Sequence, residues 1–253
     1  EPEVEIFDTF ERMGLEEWLL RGIYACGFDR PSAIQQRALV PLMRGSDVIV
    51  QSTTGTGKTA TWAIGVLSHI DTSIDKAQAL ILCHTRELGI QSARLVTSLG
   101  SYKENLRCHS LVGGRGRTDE ITAIRRGPQI ITGTPGRVYD MINQGILDTA
   151  SIKMIVFDEV DELFSRGFED IMRDIFIMLV PDGLQVAFVS ATLPPECLSM
   201  AQRMMINPIR IIERRTPEKT VTGLVQFYVN CEEERWKYDT LMDLVSDSNV
   251  TQM

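Results

Sequence analysis

Short runs of apolar, mostly β-branched residues alternate with segments of helical periodicity along most of the chain. This alternation is typical of an α/β protein whose helices cover a parallel sheet. We therefore predict a mostly parallel, twisted sheet with helices on both faces. Glycine and proline separate most of the runs from the segments that follow them. The apolar runs predict seven strands, at residues 47–51, 79–83, 108–112, 129–133, 153–157, 185–189 and 209–213.

The alternating pattern breaks near residue 213. Residues 213–222 are rich in charge, contain a proline and have no periodic apolar face, which predicts an interdomain linker. Residues 1–212 then form one domain, and residues 223–253 begin another with one strand (224–229) and one helix (232–245). Two elements cannot bury a core of their own. We expect the chain to stop early in this second domain.

The composition narrows the class of protein. The chain has 253 residues, of which 43% are hydrophobic and 24% charged, as in ordinary soluble domains. No apolar run is long enough for a bilayer, so we expect no membrane contact. Five scattered cysteines without a Cys-x-x-Cys pair favour reduced thiols, and the three histidines lack the spacing of zinc ligands. We predict a monomer in the cytoplasm, with the nucleus as the alternative.

The net charge of −8 argues against general affinity for nucleic acid, so any contact with RNA or DNA must be local.

A glycine-rich segment follows the apolar run at 48–50 and precedes a helical segment at 60–69. Its glycines would let backbone N–H groups surround a phosphate at the N-terminus of that helix. Lys58 would reach the β- and γ-phosphates of a nucleotide, and the Thr59 hydroxyl would complete the shell of a Mg²⁺ ion. The residues of this candidate phosphate loop are Thr54, Gly55, Thr56, Gly57, Lys58 and Thr59.

Carboxylates follow the apolar run at 154–157, as Asp158, Glu159 and Asp161. Alone, they would be interpreted as a solvated acidic start of a helix. Beside a phosphate loop they suit a nucleoside triphosphatase, in which Asp158 binds Mg²⁺ and Glu159 positions the attacking water. Lys58, Asp158 and Glu159 are therefore the candidate catalytic residues.

A third segment, residues 27–36, completes a pattern in which the order of motifs resembles that of the DEAD-box ATP-dependent RNA helicases. Within this family the chain is most similar to the initiation factor 4A group, over almost its whole length. The resemblance implies a RecA-like P-loop domain and identifies residues 27–36 as the adenine-reading Q motif. Gln35 can donate to and accept from the adenine edge, and Phe10 would supply a stacking face. Phe10 as a core aromatic is the alternative.

Other segments resemble those with which the family holds an RNA strand by its sugar–phosphate backbone. Loop amides, a threonine hydroxyl and arginines are suited to contacts with the RNA backbone that do not depend on the base sequence. Arg86 and Arg137 could instead pair with surface carboxylates. The resemblance also implies that Ser190 and Thr192 bond Asp161 and couple hydrolysis to strand separation. The candidate RNA-binding residues are Thr85, Arg86, Gly113, Gly114, Thr134 and Arg137.

Four positions depart from the family pattern, and none of them removes a catalytic functional group. Val160 replaces an alanine and adds volume beside the carboxylates, which can strain their geometry. His84 replaces a proline next to Arg86. Ser52 and Gly89 each stand where alanine is usual.

The resemblance implies hydrolysis of ATP, coupled to clamping and local unwinding of RNA, in translation initiation or other messenger RNA metabolism. ATP, Mg²⁺, RNA and proteins of the translation or messenger RNA machinery would be its cofactors and partners. The family's second domain supplies arginines that stabilise the transferring phosphate, so we expect weak nucleotide binding and almost no RNA-stimulated turnover from these 253 residues alone.

Three other classes of protein share parts of this pattern. A divergent paralogue could act mainly as an RNA- or partner-binding module with weak ATPase activity, and Val160 and His84 keep this alternative open. A P-loop GTPase would need an Asn-Lys-x-Asp segment, which the sequence lacks. A DEAH-type helicase would carry histidine in place of Asp161 and would lack the Gln35 motif.

Overall fold

The computed structural model describes residues 5–114, 116–179, 183–213 and 227–247. Its seven strands agree with the seven predicted ones to within one residue at each end. They are β1 (Val48–Gln51), β2 (Ala79–Leu82), β3 (Cys108–Leu111), β4 (Ile130–Gly133), β5 (Met154–Asp158), β6 (Gln185–Ser190) and β7 (Ile209–Ile212).

Helices connect successive strands. The helices are α1 (Glu17–Ala25), α2 (Gln35–Met43), α3 (Lys58–Ser68), α4 (Arg86–Leu99), α5 (Arg117–Arg125), α6 (Pro135–Asn143), α7 (Val160–Ser165), α8 (Glu169–Met178), α9 (Pro195–Met204) and α10 (Lys237–Asp247). Short 3₁₀ turns occupy Glu11–Met13 and Glu234–Trp236. Among the residues described, no helix has both the length and the apolarity needed to cross a membrane.

The strands form one sheet in the order β3-β4-β2-β5-β6-β1-β7, and every described pair is parallel. All carboxyl ends of the strands therefore meet at one edge. β2 lies between β4 and β5, and β1 between β6 and β7. This order places the loops that follow β1, β2, β5 and β6 side by side, although they are far apart in the sequence.

Two apolar cores cover the two faces of the sheet, because successive strand side chains point to opposite faces. On β1, Val48 and Val50 join the core under α1–α4, whereas Ile49 joins the core under α5–α9. Helices therefore cover both faces, as predicted for a RecA-like α/β fold.

The chain divides into two compact units, at residues 1–214 and 215–253. Apart from Glu213, the predicted linker at 213–222 lies outside the described residues and stays a prediction, as does the start of a second domain at 223–253. Within the second unit, the predicted strand at 224–229 is not formed at its described residues, 227–229. Its predicted helix at 232–245 corresponds to the turn Glu234–Trp236 followed by α10.

Candidate active site

The phosphate loop runs from the end of β1 to the start of α3. Gly55 and Gly57 have φ angles of +84° and +88°, in the left-handed region that favours glycine. Helix α3 begins at Lys58, directly after Gly57. The loop therefore brings its backbone N–H groups to a helix N-terminus, where partial positive charge attracts phosphate.

Lys58 lies across its own loop. Its Nζ donates to the carbonyl oxygens of Ser52 and Thr53, each at 2.7 Å. Burial lowers the pKa of Lys58, and the nearby carboxylates of Asp158 and Glu159 act in the opposite direction. The ammonium group is thus held beside the loop by contacts that a phosphate could replace.

The carboxylates at the end of β5 have different environments. Asp158 is 7% exposed, and burial raises its pKa to about 6, against the opposing effects of the Trp62 indole and the Lys58 ammonium. Glu159 begins the turn into α7 with a φ of +52°, a conformation that is rare outside glycine, and its side chain is 38% exposed.

A cavity of about 490 Å³ brings these groups together. Thr59, Asp158 and Glu159 line it along with the facing side of α4. A hydroxyl and a buried carboxylate are hard oxygen ligands of the kind Mg²⁺ prefers. Because Asp158 is buried and binds a proton easily, a divalent cation would compensate its charge, so these residues fit the predicted metal.

Gln35 contacts the phosphate loop directly. The side chain is 2% exposed; its Oε1 accepts from the Ser32 N–H at 2.8 Å, and its Nε2 donates to the Gly57 carbonyl at 3.4 Å. A Cβ atom at Gly57 would lie 2.9 Å from that Nε2. The predicted purine-reading group is therefore part of the same site as the loop.

Phe10 does not offer a free stacking face. It is fully buried, in the core under α1–α4, and its ring meets that of Tyr24 edge to face at 6.4 Å. This burial favours the alternative of a core aromatic, and the assignment of Phe10 to adenine stacking stays a prediction. An isolated aromatic residue carries no signal that separates the two roles, since burial depends on distant parts of the chain.

The candidate RNA-binding residues follow β2, β3 and β4, which are neighbours in the sheet. Thr85 caps α4 by accepting from the Leu88 N–H at 3.3 Å. The Arg86 guanidinium packs against Gly113 and Gly114, where added Cβ atoms would lie 3.1 and 2.8 Å from its nitrogens. Thr134 is the N-cap residue of α6, although its hydroxyl makes no cap hydrogen bond. The structure therefore brings these residues to one edge.

Arg137 is paired within the protein. Its Nε donates to Glu120 Oε2 at 2.7 Å, a second nitrogen contacts the same oxygen, and its Nη1 donates to Asp140 at 3.0 Å. Glu120 is only 1% exposed. Of the two arginines for which carboxylate pairing was the alternative, Arg137 makes such pairs.

The three residues predicted to couple hydrolysis to strand separation are in contact. Thr192 donates to Asp161 Oδ2 from its backbone N–H at 3.1 Å and from its hydroxyl at 2.7 Å. Ser190 Oγ accepts from the Asp161 N–H at 3.4 Å. Although burial acts in the opposite direction, hydrogen bonds from Ser190 and Thr192 lower the pKa of Asp161. The loops after β5 and β6 are thus joined.

Comparison with known proteins agrees with this geometry. A sequence profile described as DEAD/DEAH box helicase matches residues 32–200, well over half of the chain. The chain belongs to this family.

Among its DEAD-box relatives, eukaryotic initiation factor 4A of Drosophila melanogaster is 49% identical over 248 residues, which are 98% of this chain and 61% of the relative. The ATP-dependent RNA helicase FAL1 of Mycosarcoma maydis is also 49% identical, over 249 residues, with shares of 98% and 62%. The chain thus spans less than two thirds of the length of these curated relatives.

Solved DEAD-box structures share the fold. Dbp5 of S. cerevisiae, bound to RNA and ADP BeF3, matches with a TM-score of 0.85 at 31% identity, over 95% of this chain and 60% of that one. A DEAD box protein from the hyperthermophile Methanococcus jannaschii matches with a TM-score of 0.79 at 29% identity, with shares of 96% and 65%.

Two departures from the DEAD-box pattern make contacts that sequence reasoning missed. The Ser52 hydroxyl lies 2.7 Å from Thr56 Oγ1 and bonds the Glu213 carboxylate at the end of β7. His84 Nδ1 lies 3.1 Å from Glu159 Oε2. Both positions depart from the family pattern, but their partners are 161 and 75 residues away, and nothing in the local sequence identifies them.

The other two departures concern packing. Val160 is fully buried in the core under α5–α9. Gly89 lies where α4 approaches β4: Thr132 Oγ1 donates to its carbonyl at 2.7 Å, and an added Cβ would lie 3.1 Å from a Val112 methyl. Neither change displaces a group of the site.

Proposed function

We propose that this chain is the greater part of an ATP-dependent RNA helicase that hydrolyses ATP in order to clamp and locally unwind RNA. The observation that supports this most directly is the double hydrogen bond from Thr192 to Asp161. It joins the carboxylate loop to a segment beside the phosphate loop, since β6 pairs with both β1 and β5. Such a connection serves a protein in which nucleotide state must be transmitted, not only one that binds a nucleotide.

Each nucleotide-binding residue has a role that follows from its position. The backbone amides of the loop and Lys58 bind the β- and γ-phosphates, and Lys58 exchanges the carbonyls of Ser52 and Thr53 for phosphate oxygens. Gln35 reads the adenine edge from its place beside Gly57. Glu159 positions the attacking water and accepts its proton.

Thr59 and Asp158 are the residues that would hold Mg²⁺. A bound ion would neutralise phosphate charge and polarise the γ-phosphate. The contribution of this chain is a buried carboxylate and a hydroxyl that line one cavity.

RNA is the proposed partner at the edge formed by the loops after β2, β3 and β4. Arg86, the Gly113–Gly114 amides and the hydroxyls of Thr85 and Thr134 would contact the sugar–phosphate backbone, which requires few positive charges and is compatible with a net charge of −8. Arg137 would have to exchange Glu120 for a phosphate in order to take part.

We place the protein in translation initiation or other messenger RNA metabolism, as a cytoplasmic monomer that works with proteins of that machinery. The names of the relatives support the pathway: the Drosophila melanogaster relative is an initiation factor. One Dbp5 structure contains RNA, and another contains gle1.

The test is RNA-stimulated ATP hydrolysis by the complete protein and by its Glu159→Gln variant. We expect single-stranded RNA to raise the wild-type rate and Glu159→Gln to lower kcat by about 10²-fold or more, as loss of a positioned general base does. ATP affinity should change little, because Glu159 is proposed to act on the attacking water and not on the phosphates of bound ATP. RNA binding without RNA-dependent turnover, and with no effect of Glu159→Gln, would indicate the binding module instead.

A further inference from the structure

His84 and Glu159 are brought together by the order of the strands. β2 and β5 are parallel neighbours, with Leu82 opposite Phe157 at their carboxyl ends. Two residues beyond that pair, the chain after β2 reaches His84 and the chain after β5 reaches Glu159. The contact therefore follows from the register of two central strands and does not depend on a mobile surface loop.

The two side chains differ in how much of their surface is exposed to solvent. The His84 side chain is 8% exposed, whereas that of Glu159 is 38% exposed, and Nδ1 lies 3.1 Å from Oε2. In the part of the chain that the structure describes, Nδ1 is buried and makes no aligned hydrogen bond. A buried N–H group seeks an acceptor strongly, because leaving it unsatisfied is costly. Glu159 Oε2 is a carboxylate oxygen at this distance of 3.1 Å.

The proposed role of Glu159 requires a neighbouring group that fixes the orientation of its carboxylate. A carboxylate that orients a water must be held within a fraction of an ångström. Its backbone is in the left-handed region, with a φ of +52°, and its long side chain reaches into an open cavity. A half-exposed glutamate has several rotamers, and only a contact from a fixed neighbour selects one of them.

We propose that His84 is a positioning residue for hydrolysis: its Nδ1–H holds Glu159 Oε2 so that the other carboxylate oxygen faces the attacking water. This rests on the proposed function, since it assigns His84 a role in the same reaction. The chemistry required of His84 is a donor at Nδ1, not a change of protonation.

The first experiment is steady-state ATP hydrolysis by the complete protein with saturating single-stranded RNA, for wild type, His84→Leu and His84→Asn. Leucine keeps much of the volume but has no donor, whereas the asparagine amide nitrogen occupies nearly the place of Nδ1. We expect His84→Leu to lower kcat by about 10- to 100-fold with little change in the KM for ATP, as for misplacement of a catalytic group. His84→Asn should recover most of the loss.

A double-mutant cycle with Glu159→Gln separates positioning from packing. If His84 acts through the carboxylate, His84→Leu should cost little further activity in the Glu159→Gln background. The matched control is His69→Leu, because His69 bonds the Leu42 carbonyl of α2 and lies beside Ala79 and Met154, at the amino ends of β2 and β5. Urea unfolding of every variant shows whether the fold is kept.

Several results would overturn the proposal. Equal losses in His84→Leu and His84→Asn would mean that the imidazole only fills space, and so would an effect on KM with kcat unchanged. Wild-type protein without RNA-stimulated turnover would instead refute the proposed function. The contact has its own readout in that case: the Nδ1 resonance of His84 in ¹⁵N NMR should shift in Glu159→Gln, and an unmoved resonance would refute the contact itself.

Discussion

Gly57 is the residue at which the phosphate loop meets the purine-reading segment. It combines a φ of +88° with a close approach to Gln35, whereas Gly55 has a similar φ of +84° and no atom within 4 Å of an added Cβ. Substitution of either glycine by alanine would strain the backbone, but only substitution of Gly57 would also displace Gln35.

We predict different outcomes for Gly57→Ala and Gly55→Ala. Both should lower the free energy of unfolding by about 1–2 kcal/mol, the cost of a left-handed L-residue. Only Gly57→Ala should also weaken discrimination between ATP and GTP, because its methyl group displaces Gln35. Urea unfolding and calorimetric binding of both nucleotides measure these effects, and equal discrimination in the two variants would contradict the argument.

Asp158 should make stability depend on pH. Its pKa is raised from 3.8 to about 6, so the folded state holds the proton more tightly than the unfolded state. The resulting stabilisation is fully present below about pH 4 and is lost as the pH rises through about 6. At 1.36 kcal/mol per pKa unit, the free energy of unfolding falls by up to about 3 kcal/mol over this range.

Asp158→Asn removes this dependence, because the amide does not ionise. In EDTA we expect the variant to exceed wild type in free energy of unfolding at pH 7.5 by about 1–3 kcal/mol, and to differ much less at pH 4. The exposed Asp170→Asn serves as the control. A difference between Asp158→Asn and wild type that is the same at both pH values would refute a raised pKa.

At the scale of elements, α5 and α6 are joined by a nearly buried ion pair. Arg137 is 18% exposed and Glu120 1% exposed, so removal of the arginine leaves an uncompensated carboxylate in the interior. Arg86 lies exposed against Gly113 and Gly114. The two candidate RNA-binding arginines should therefore respond differently to substitution.

We predict that Arg137→Ala lowers the free energy of unfolding by about 3–5 kcal/mol, whereas Arg86→Ala changes it by less than about 0.5 kcal/mol. Glu120→Gln combined with Arg137→Ala should recover a substantial part of the loss, since a buried amide costs less than a buried charge. Urea unfolding measures all three variants. RNA affinity is interpretable only for those that keep the fold, and a stable Arg137→Ala variant would contradict the importance of the pair.

The strands were predictable because each is a short apolar run bounded by glycine, proline or polar residues. A short apolar run such as 154–157 is stable only when it is buried, so local composition is enough to predict a buried strand at that position. The predicted strand at 224–229 shows the limit of this reasoning. A strand exists only through pairing, and residues 227–229 are not paired into a strand.

At the scale of the molecule, the chain matches about 61% of the length of its Drosophila melanogaster relative. The first compact unit, residues 1–214, contains the candidate phosphate loop, the carboxylates after β5 and the proposed RNA-binding edge. In the family, the arginines that stabilise the transferring phosphate come from a second domain.

We therefore expect the 253-residue chain to bind ATP weakly and to show RNA-stimulated turnover lower than that of the complete protein by roughly 10³-fold or more, the contribution typical of such arginines. Parallel assays of the two forms at equal concentration, with the same RNA, measure the ratio. Comparable turnover by both forms would show that the site in residues 1–214 is complete.

The sequence by itself determined the parallel α/β fold and the position of the candidate phosphate loop, because apolar runs and glycine-rich turns act locally. Gly57 and Lys58 are required by the loop itself, whichever strands surround it. Tertiary structure alone decided that Phe10 is buried, that Arg137 is held by Glu120 and that His84 meets Glu159. These contacts depend on the order of strands in the sheet, which no local pattern encodes.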